Sequence, residues 1–412
     1  MPAVPTACQV NGISLKSCLV SWCGCVGQGT PKGGPTFLAS SGQVRAYSAL
    51  FSRSHLHQLG PASLLSTRST PAPTKTRVHA PVDLPDPKGA LVGDVRRSLR
   101  GPPRWLPPKY LYDQVGSELY ERITALAEYY PYRTEHMILQ EAASDIVESG
   151  CPEVLVEFGS GSASKTRLLL DSLEDRGLLR GYGAIEVSES ALRASFRDLS
   201  SRYPGLEFEG VLADFHDLVP LPFEGSRRLL LFLGSTIGNL DEPEGIGFLK
   251  SVVDRMTDRD RFLIGFDLVK ETSVIEAAYN DAQGVTAAFN KNLLTRLNRE
   301  LGADFEPDAF AHSAFFNDKE SQIEMHLVAR SSQRIDLGVA GFSIDIEQGD
   351  GIRTEISRKF TPSKVQLMSS AAGLERVSWF VDPRRYFAVG LFKLARSGRS
   401  AGARVLTQGA SA

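Results

Sequence analysis

The feature that most constrains the fold is a series of short apolar segments that alternate with amphipathic segments between residues 154 and 267. This alternation is typical of βαβ units, in which helices connect parallel strands. We predict strands at residues 154–158, 181–187, 206–212, 228–233 and 261–267. The helices between them are predicted at residues 165–174, 189–200 and 243–256. The pattern therefore predicts an α/β fold with a doubly wound sheet, in which ligands bind at the carboxyl ends of the strands.

The segments that flank this alternation follow other patterns. We predict helices there at residues 111–125, 134–149 and 274–301, and strands at 323–330, 341–346, 377–381 and 386–394. The motif before the second of these helices contains Pro131, which disfavours the helical conformation in the residue that precedes it. The change of pattern after residue 269 predicts a second, α+β domain built from the N-terminal helices and an insertion. We assign residues 86–133 and 270–359 to this second domain, and residues 134–269 and 360–395 to the doubly wound domain.

The first 82 residues contain no aspartate or glutamate, although lysine and arginine occur among many small and hydroxyl residues. This composition is typical of an organelle transit peptide, mitochondrial or plastid. The segment VRAYSAL at residues 44–50 looks like a mitochondrial processing site, with a cut after Tyr47. We therefore expect residues 1–85 to be a disordered transit peptide and linker, and residues 396–412 to be a disordered tail. A basic extension that is not an address would leave the protein in the cytoplasm.

Composition excludes several classes of function. The 48 acidic and 46 basic residues nearly cancel, so the overall charge favours neither nucleic acid nor an anionic membrane as a partner. No apolar run reaches the roughly 20 residues of a membrane-spanning helix. Four cysteines lie in the first 25 residues and only Cys151 follows, which excludes a disulfide framework for the folded body. Cys23 and Cys25 are one residue apart, too close for a zinc knuckle, and we predict no metal. We expect a monomer that acts on a small molecule.

The segment VLVEFGSGSASKT at residues 154–166 places Gly159 and Gly161 between a strand and a helix. Glycines at this position allow backbone N–H groups to approach a ligand at the start of the helix. The segment departs from a phosphate-binding Walker loop because Ser164 replaces the glycine before the lysine. It also lacks the third glycine of the dinucleotide fingerprint, where Ala163 is the nearest small residue. An ordinary strand-to-helix turn is the remaining interpretation.

Acidic residues at the ends of successive strands favour an S-adenosylmethionine pocket. Glu157 precedes the glycine loop, and Glu186 ends the next predicted strand, where a carboxylate can accept both ribose hydroxyls. Asp214 and Phe215 follow the third strand, where a carboxylate and a ring can hold an adenine. Each of these acids alone is more often a turn residue. Three together at the carboxyl ends of one sheet indicate a nucleoside pocket.

From about residue 103 to residue 395, the chain resembles the histidine-specific, S-adenosylmethionine-dependent methyltransferases of ergothioneine biosynthesis. The resemblance implies a Rossmann-like class I methyltransferase fold and methylation of the α-amino group of L-histidine, up to trimethylhistidine. It rests on the strings EYYPYRTE (128–135), GSGSASKTRLLLD (159–171), FLGSTIGN (232–239), AAYNDAQGVTAAFNKN (277–292), IEMHLVA (323–329) and RTEIS (353–357).

The resemblance also implies that the second domain binds the substrate and that the doubly wound domain binds S-adenosylmethionine, and it implies roles for individual residues. Cofactor contacts are implied for Tyr112, Gly159, Lys165, Glu186, Asp214 and Phe215, with Gly161 in the same loop and Gly234 near the sulfonium. Substrate contacts are implied for Tyr129, Asn239, Tyr279, Met325, Glu355 and Ser357, of which the first three form the catalytic set. One departure is Glu186, because bacterial relatives usually carry aspartate there. We expect this change to alter cofactor affinity more than activity.

The substrate residues make chemical sense for histidine. Asn239 and Tyr279 can donate hydrogen bonds to a carboxylate, and Glu355 and Ser357 lie on one face if their segment is a strand. An imidazole needs an acceptor for its N–H and a partner for its other nitrogen, which this pair provides. Without the resemblance, Glu355 reads as an exposed strand residue, and Tyr279 and Met325 read as core residues.

Three other functions remain open from the sequence. A member of the same family can methylate another amino acid, such as a tryptophan derivative, although a carboxylate at Glu355 argues against an apolar side chain. A nicotinamide-dependent oxidoreductase would bind NAD instead of S-adenosylmethionine. A non-catalytic binding module would bind an amino acid and release no methylated product.

Overall fold

Two β-sheets of different size organise the fold in the computed structural model, which describes residues 75–80 and 87–395 apart from positions 162, 216 and 218. The strands are β1 (Thr76–His79), β2 (Arg104–Trp105), β3 (Val154–Phe158), β4 (Gly181–Glu186), β5 (Glu207–Leu212), β6 (Arg228–Phe232), β7 (Arg261–Asp267), β8 (Phe310–Asn317), β9 (Gln322–Ala329), β10 (Gln333–Asp336), β11 (Ser343–Ile346), β12 (Gly351–Arg358), β13 (Leu374–Val381) and β14 (Phe387–Leu394). The helices are α1 (Pro87–Ser98), α2 (Gln114–Thr124), α3 (Tyr130–Gly150), α4 (Thr166–Asp175), α5 (Glu189–Arg202), α6 (Glu242–Val253), α7 (Thr272–Tyr279), α8 (Val285–Leu301) and α9 (Pro362–Ala371).

The larger sheet has the strand order β1-β5-β4-β3-β6-β7-β14-β13 within the described residues. Strands β5, β4, β3, β6 and β7 run parallel, while β14 pairs antiparallel with β7 and forms a hairpin with β13. The chain therefore proceeds outward from β3 in one direction and from β6 in the other. This reversal creates the crevice where doubly wound sheets bind ligands. The predicted class I methyltransferase fold is confirmed.

The central strands β3 and β6 are apolar apart from Glu157 and Arg228, as expected for a parallel sheet covered on both faces. Every residue of β3 and β6 is buried. Helix α6 begins with a capping box, in which Asp241 and Glu244 satisfy each other's backbone N–H groups. Helices α4, α5 and α6 follow β3, β4 and β6 in the chain. They therefore start on the side of the sheet where these strands have their carboxyl ends and where the candidate site residues lie.

The smaller sheet has the order β2-β12-β9-β8 and carries a separate apolar core. Helix α8 covers this sheet and contacts α2, which precedes the central strand β3 in sequence. The smaller sheet is thus assembled from the predicted insertion and the N-terminal elements. The division into two domains at residues 133, 269 and 359 remains a prediction, because all described residues belong to one compact unit.

The predicted helix at residues 274–301 is wrong as a single element, because α7 ends at Tyr279 and α8 begins at Val285. The Asp281 carboxylate accepts hydrogen bonds from the N–H groups of Val285 and Thr286 at 2.9 and 2.8 Å, which starts the second helix. Gly284 has a φ of +71°, a conformation that side chains rarely adopt. Apolar spacing continues across the break, and the local capping chemistry overrides it.

The N-terminal boundary also differs from the prediction. Strand β1 lies inside the segment predicted as transit peptide and linker, and it pairs in parallel with β5 from Thr76 opposite Phe208 to His79 opposite Val211. The four residues of this strand, TRVH, include Val78 as their single apolar side chain, which is too weak a pattern to predict a strand. The rest of the predicted transit peptide up to residue 74, and the predicted tail at 396–412, lie outside the described residues. Among the described helices, none is long and apolar enough to cross a bilayer.

Candidate active site

The loop between β3 and α4 has a backbone conformation that requires glycine. Gly159 and Gly161 have φ values of +82° and +42°, and a Cβ atom at either position would meet no atom within 4 Å. Space therefore does not select glycine here, whereas the left-handed conformation does. The open space above both residues leaves the loop backbone accessible to a ligand.

Glu186 connects this loop to the end of the neighbouring strand β4. Its Oε2 accepts hydrogen bonds from the backbone N–H and the hydroxyl of Ser160 at 3.0 and 3.3 Å, and its Oε1 accepts from the backbone N–H of Ser188 at 3.1 Å. Glu186 pairs in register with Leu212 of β5, two residues before Asp214. The two predicted cofactor carboxylates therefore lie at the same edge of the sheet, as the nucleoside hypothesis requires.

Asp214 and Phe215 follow β5 at this edge. Lys109, from the segment before α2, donates to Oδ2 of Asp214 at 3.2 Å. The Phe215 ring packs edge-on against Phe232 and Phe248, with ring centres 5.4 and 5.5 Å apart. The backbone around these two residues is thus held by the core on one side and by the N-terminal segment on the other.

Glu157, the third acid of the sequence pattern, has a different environment. Its two carboxylate oxygens accept hydrogen bonds from the hydroxyls of Thr166 and Tyr182 at 2.8 and 2.7 Å. Burial raises the pKa of Glu157 to about 7, although these hydrogen bonds act in the opposite direction. Because both oxygens are engaged by α4 and β4, Glu157 supports the glycine loop from within the protein.

Gly234 and Lys165, both predicted cofactor residues, meet at a carboxylate that the sequence patterns did not identify. Glu135 in α3 is fully buried and accepts hydrogen bonds from the Gly234 N–H at 2.9 Å on both oxygens. The Lys165 ammonium forms an ion pair with the same carboxylate. Gly234 has a φ of +77°, and a Cβ atom there would make only an ordinary contact with the Lys165 Nζ at 3.8 Å, so backbone conformation selects glycine at this position.

We name the carboxyl ends of β3 to β6 the cofactor edge, which comprises Gly159, Gly161, Lys165, Glu186, Asp214, Phe215 and Gly234. The accessible glycine backbone, two carboxylates and a ring at this edge suit the hydroxyls, amines and base of an adenosine group. The Lys165 ammonium adds a charge that suits a carboxylate tail. By these features the residues fit S-adenosylmethionine.

A second group of residues surrounds a cavity between the smaller sheet and the N-terminal helices. We name it the aromatic cavity, and its lining residues are Tyr112, Tyr120, Ile123, Tyr129, Tyr279, Thr286, Phe289, Met325 and Glu355. The ring centre of Tyr129 lies 6.2 Å from that of Tyr279 and 6.3 Å from that of Tyr120, and both contacts are edge-to-face. Tyr112, predicted as a cofactor contact, lines this cavity and is 39% exposed, which places it at the mouth.

Glu355 is the carboxylate among these aromatic lining residues. It lies on β12 opposite Met325 of β9, immediately after a bulge in the strand. Burial raises the pKa of Glu355 to about 7, while the charge of Lys359 and a hydrogen bond from Asn239 act to lower it. The cavity therefore presents one carboxyl group, held in place by an amide, among tyrosine rings.

Ser357 and Tyr279 converge on a lysine below this carboxylate. The Lys359 Nζ donates to the Ser357 Oγ at 2.9 Å and to the Tyr279 hydroxyl at 3.3 Å. The same ammonium forms an ion pair with Asp267 at 2.8 Å. Burial acts to raise the pKa of Asp267, but the charges and hydrogen bonds of Lys359 and Lys270 lower it overall.

Two short segments join the cofactor edge to the aromatic cavity. Helix α3 carries Glu135, and its N-terminal flanking residue is Tyr129 of the cavity. The 3-10 helix Thr236–Asn239 follows Gly234 and ends at the residue that bonds Glu355. The structure thus brings the predicted cofactor and substrate residues into neighbouring groups.

The sequence patterns missed several residues of the site, namely Tyr120, Glu135, Thr286, Phe289 and Lys359. Glu135, Thr286 and Phe289 lie within the quoted family strings, but nothing in their spacing distinguishes them from core residues. Lys359 could have been predicted from the sequence, because it continues the two-residue spacing of Glu355 and Ser357 on one strand face. Among the described residues, no group of histidine, cysteine, aspartate or glutamate side chains could hold a metal ion.

Comparison with known proteins identifies related sequences. A family model described as histidine-specific, S-adenosylmethionine-dependent methyltransferase matches residues 91–394. The histidine N-alpha-methyltransferase of Mycolicibacterium smegmatis is 44% identical over 303 residues, which cover 73% of this chain and 94% of that protein. Ergothioneine biosynthesis protein 1 of Neurospora crassa is 32% identical, with 72% of this chain and 34% of that protein covered. An L-tryptophan methyltransferase of Psilocybe serbica is 26% identical, with coverages of 72% and 91%.

Proposed function

This chain belongs to the family of histidine-specific, S-adenosylmethionine-dependent methyltransferases, and we propose that it methylates the α-amino group of L-histidine. The observation that carries this proposal is the position of Glu355 in the aromatic cavity. A carboxylate there matches the N–H of an imidazole, whereas a purely apolar side chain would leave the carboxylate without a partner. The apolar surfaces of Met325 and Phe289 suit the faces of the same ring.

The backbone end of the substrate needs different groups. Asn239 and the Tyr279 hydroxyl can donate hydrogen bonds to the substrate carboxylate. Burial raises the pKa of both Tyr129 and Tyr279 above the ordinary value, so their hydroxyls remain neutral donors near neutral pH. The tyrosine rings favour a cation nearby through cation–π contact, which suits an amine that gains positive charge as it is methylated.

The cofactor edge would hold S-adenosylmethionine through Gly159, Gly161, Lys165, Glu186, Asp214, Phe215 and Gly234. When bound, this cofactor supplies an electrophilic methyl group on a positively charged sulfur. The protein's contribution is alignment, since holding two reactants in the correct geometry lowers a barrier by roughly 7 to 11 kcal/mol. Tyr129 and Asn239 lie on the two segments that join the cavity to the cofactor edge, which suits them to position the amine.

Several finer predictions go with this proposal. Because the neutral amine is the nucleophile, the substrate nitrogen loses one proton before each of the three transfers. The third transfer gives trimethylhistidine, the first intermediate of ergothioneine biosynthesis, whose nitrogen has no proton left to lose. We propose that the chain acts as a monomer, which light scattering of the purified protein tests. We also propose that the N-terminal extension directs it to a mitochondrion or plastid, which a fluorescent fusion with and without residues 1–74 tests.

The function is tested by incubating the protein with S-adenosylmethionine and an equimolar mixture of the twenty amino acids. Mass spectrometry then shows which amino acid gains one, two or three methyl groups. We expect only histidine to gain them. A methylated tryptophan would assign the chain to another amino acid, and binding of histidine without any product would indicate a binding module. Calorimetric titration with NAD and with S-adenosylmethionine tests the oxidoreductase alternative, which predicts binding of NAD instead of S-adenosylmethionine.

A further inference from the structure

Lys359 is a fully buried lysine whose three N–H donors each have a protein acceptor. The acceptors are the Asp267 carboxylate at 2.8 Å, the Ser357 Oγ at 2.9 Å and the Tyr279 hydroxyl at 3.3 Å. Glu355, Ser357 and Lys359 follow each other at two-residue intervals along β12 and its extension. The ammonium therefore lies directly beneath the two hydroxyls that the sequence resemblance assigns to substrate binding.

An ammonium group can only donate, which fixes the direction of these hydrogen bonds. The Ser357 and Tyr279 oxygens accept from Lys359, and each hydroxyl hydrogen must point elsewhere. The two hydroxyls also interact with each other. Ser357 acts to lower the pKa of Tyr279, which is the effect of a hydroxyl that donates a hydrogen bond to the Tyr279 oxygen. A ligand that offers acceptors to both hydroxyls can replace this contact.

We propose that Lys359 is a positioning residue that makes Ser357 and Tyr279 hydrogen-bond donors towards the substrate. The proposal rests on the proposed function, in which the substrate is histidine. Tyr279 then donates to the substrate carboxylate, and Ser357 donates to the ring nitrogen that carries no hydrogen. Glu355 accepts from the other ring nitrogen.

This arrangement selects a ring with one N–H and one bare nitrogen, which is neutral imidazole. An indole or pyrrole ring has an N–H for Glu355 but no acceptor for Ser357. Such a ring leaves a buried hydroxyl hydrogen without a partner, and sites that bond a polar group discriminate strongly against ligands that lack it. Lys359 is thus a specificity determinant that does not touch the substrate.

The test compares Lys359→Met with Lys270→Met. Lys270 is also buried and bonded to Asp267, but its other partners are the Tyr130 hydroxyl and a backbone carbonyl. We expect Lys359→Met to raise the KM for histidine about tenfold or more, the cost of a weakened charged hydrogen-bond network. S-adenosylhomocysteine affinity, measured by calorimetry, should stay unchanged in both variants and verifies that they fold. An equal rise in KM for both variants would overturn the proposal.

A double-mutant cycle separates positioning from general packing. If Lys359 acts through Ser357, adding Ser357→Ala to Lys359→Met raises the KM less than it does in the wild type. If the two substitutions raise the KM by independent factors that multiply in the double variant, Lys359 does not act through Ser357 and the proposal is wrong. The wild-type assay with histidine reports on the proposed function by itself, so a failure there is recognised separately.

A measurement on well-folded proteins covers the case in which Lys359→Met is unfolded. The probe is a histidine analogue in which a pyrrole ring replaces the imidazole. The wild type should bind histidine about tenfold or more tightly than this analogue, because only histidine offers Ser357 an acceptor. Ser357→Ala should lose most of this preference. If Ser357→Ala keeps the full preference, the hydroxyl is not a donor to the ring and the role of Lys359 is wrong.

Discussion

The cofactor edge and the aromatic cavity are built in different ways. At the cofactor edge, backbone groups form a large part of the site: Gly159 and Gly161 are in the left-handed conformation, and the backbone N–H groups of Ser160 and Ser188 donate to Glu186. The cavity instead consists of side chains from α2, α7, α8, β9 and β12, together with Tyr112 before α2 and Tyr129 before α3. The edge thus combines backbone groups, which every residue possesses, with a few side chains, whereas the cavity depends on side chains alone, which single substitutions remove. Substrate choice should therefore be easier to change than cofactor choice.

The carboxyl groups of Glu157 and Glu355 also differ between the two regions. Burial raises the pKa values of both Glu157 and Glu355 to about 7. Glu157 has a hydroxyl donor on each oxygen, whereas Glu355 has the amide of Asn239 and faces the cavity. Equal pKa shifts thus accompany a supporting role in one region and a ligand-facing role in the other.

The largest expected effect is that of Glu355→Ala. We expect kcat/KM for histidine to fall about 100-fold, or roughly 3 kcal/mol, because an imidazole N–H would lose its charged partner in a buried site. S-adenosylhomocysteine affinity should not change, because Glu355 is not at the cofactor edge. Glu320→Ala, in the exposed turn between β8 and β9, is the matched control. Unchanged histidine kinetics would remove the histidine assignment.

A smaller effect is expected for Glu186→Ala at the cofactor edge. Loss of this carboxylate releases the Ser160 and Ser188 N–H groups and the proposed ribose contact, so we expect S-adenosylhomocysteine affinity to fall by roughly tenfold. Calorimetry measures this change. Glu189→Ala, three residues later and exposed, should leave the affinity as it is. A variant that instead lost histidine affinity with normal cofactor binding would contradict the division between the two regions.

The pH dependence of histidine binding should follow Glu355. As the pH falls through about 7, Glu355 takes up a proton and stops accepting an imidazole N–H as a charged group, so the KM should rise by up to about tenfold per pH unit. In Glu355→Gln the KM should be higher at neutral pH and stay level until the substrate imidazole itself protonates near about 6.5. Identical pH profiles for the two proteins would show that another group titrates.

The smallest effect is expected for Glu157→Gln, measured as thermal stability. The pKa of Glu157 is higher in the folded protein than its ordinary value of 4.5, so the folded state binds the proton more tightly. Its contribution to stability is fully present below pH 4.5 and is lost as the pH rises to about 7. Wild-type melting temperature should decline by a few degrees across this window, and Glu157→Gln should flatten part of the decline. A steeper decline in the variant would contradict this.

The same comparison explains what the sequence could predict. The bounds predicted for the strands Val154–Phe158 and Arg261–Asp267 agree with β3 and β7, because buried parallel strands are continuous apolar runs. Glu186 and Asp214 were predictable because strand ends in one sheet share an edge. Tyr120 and Phe289 were not, because their meeting depends on how α2 packs against α8, which local patterns do not encode. The family resemblance supplied cavity residues such as Glu355 and Tyr279, which periodicity alone assigns to the surface or the core.

Strand β1 has a consequence for the solution behaviour of the protein. It covers the outer backbone edge of β5, with the Phe208 N–H bonded to the Lys75 carbonyl at 2.8 Å. An uncovered edge of this kind is a template for pairing with strands of other molecules. Proteolytic cleavage after Tyr47 would keep this cover in place, whereas cleavage beyond Ala80 would remove it. Strand β1 becomes the edge of the sheet in place of β5, and its four residues with the charged Arg77 form a shorter edge that is less suited to such pairing.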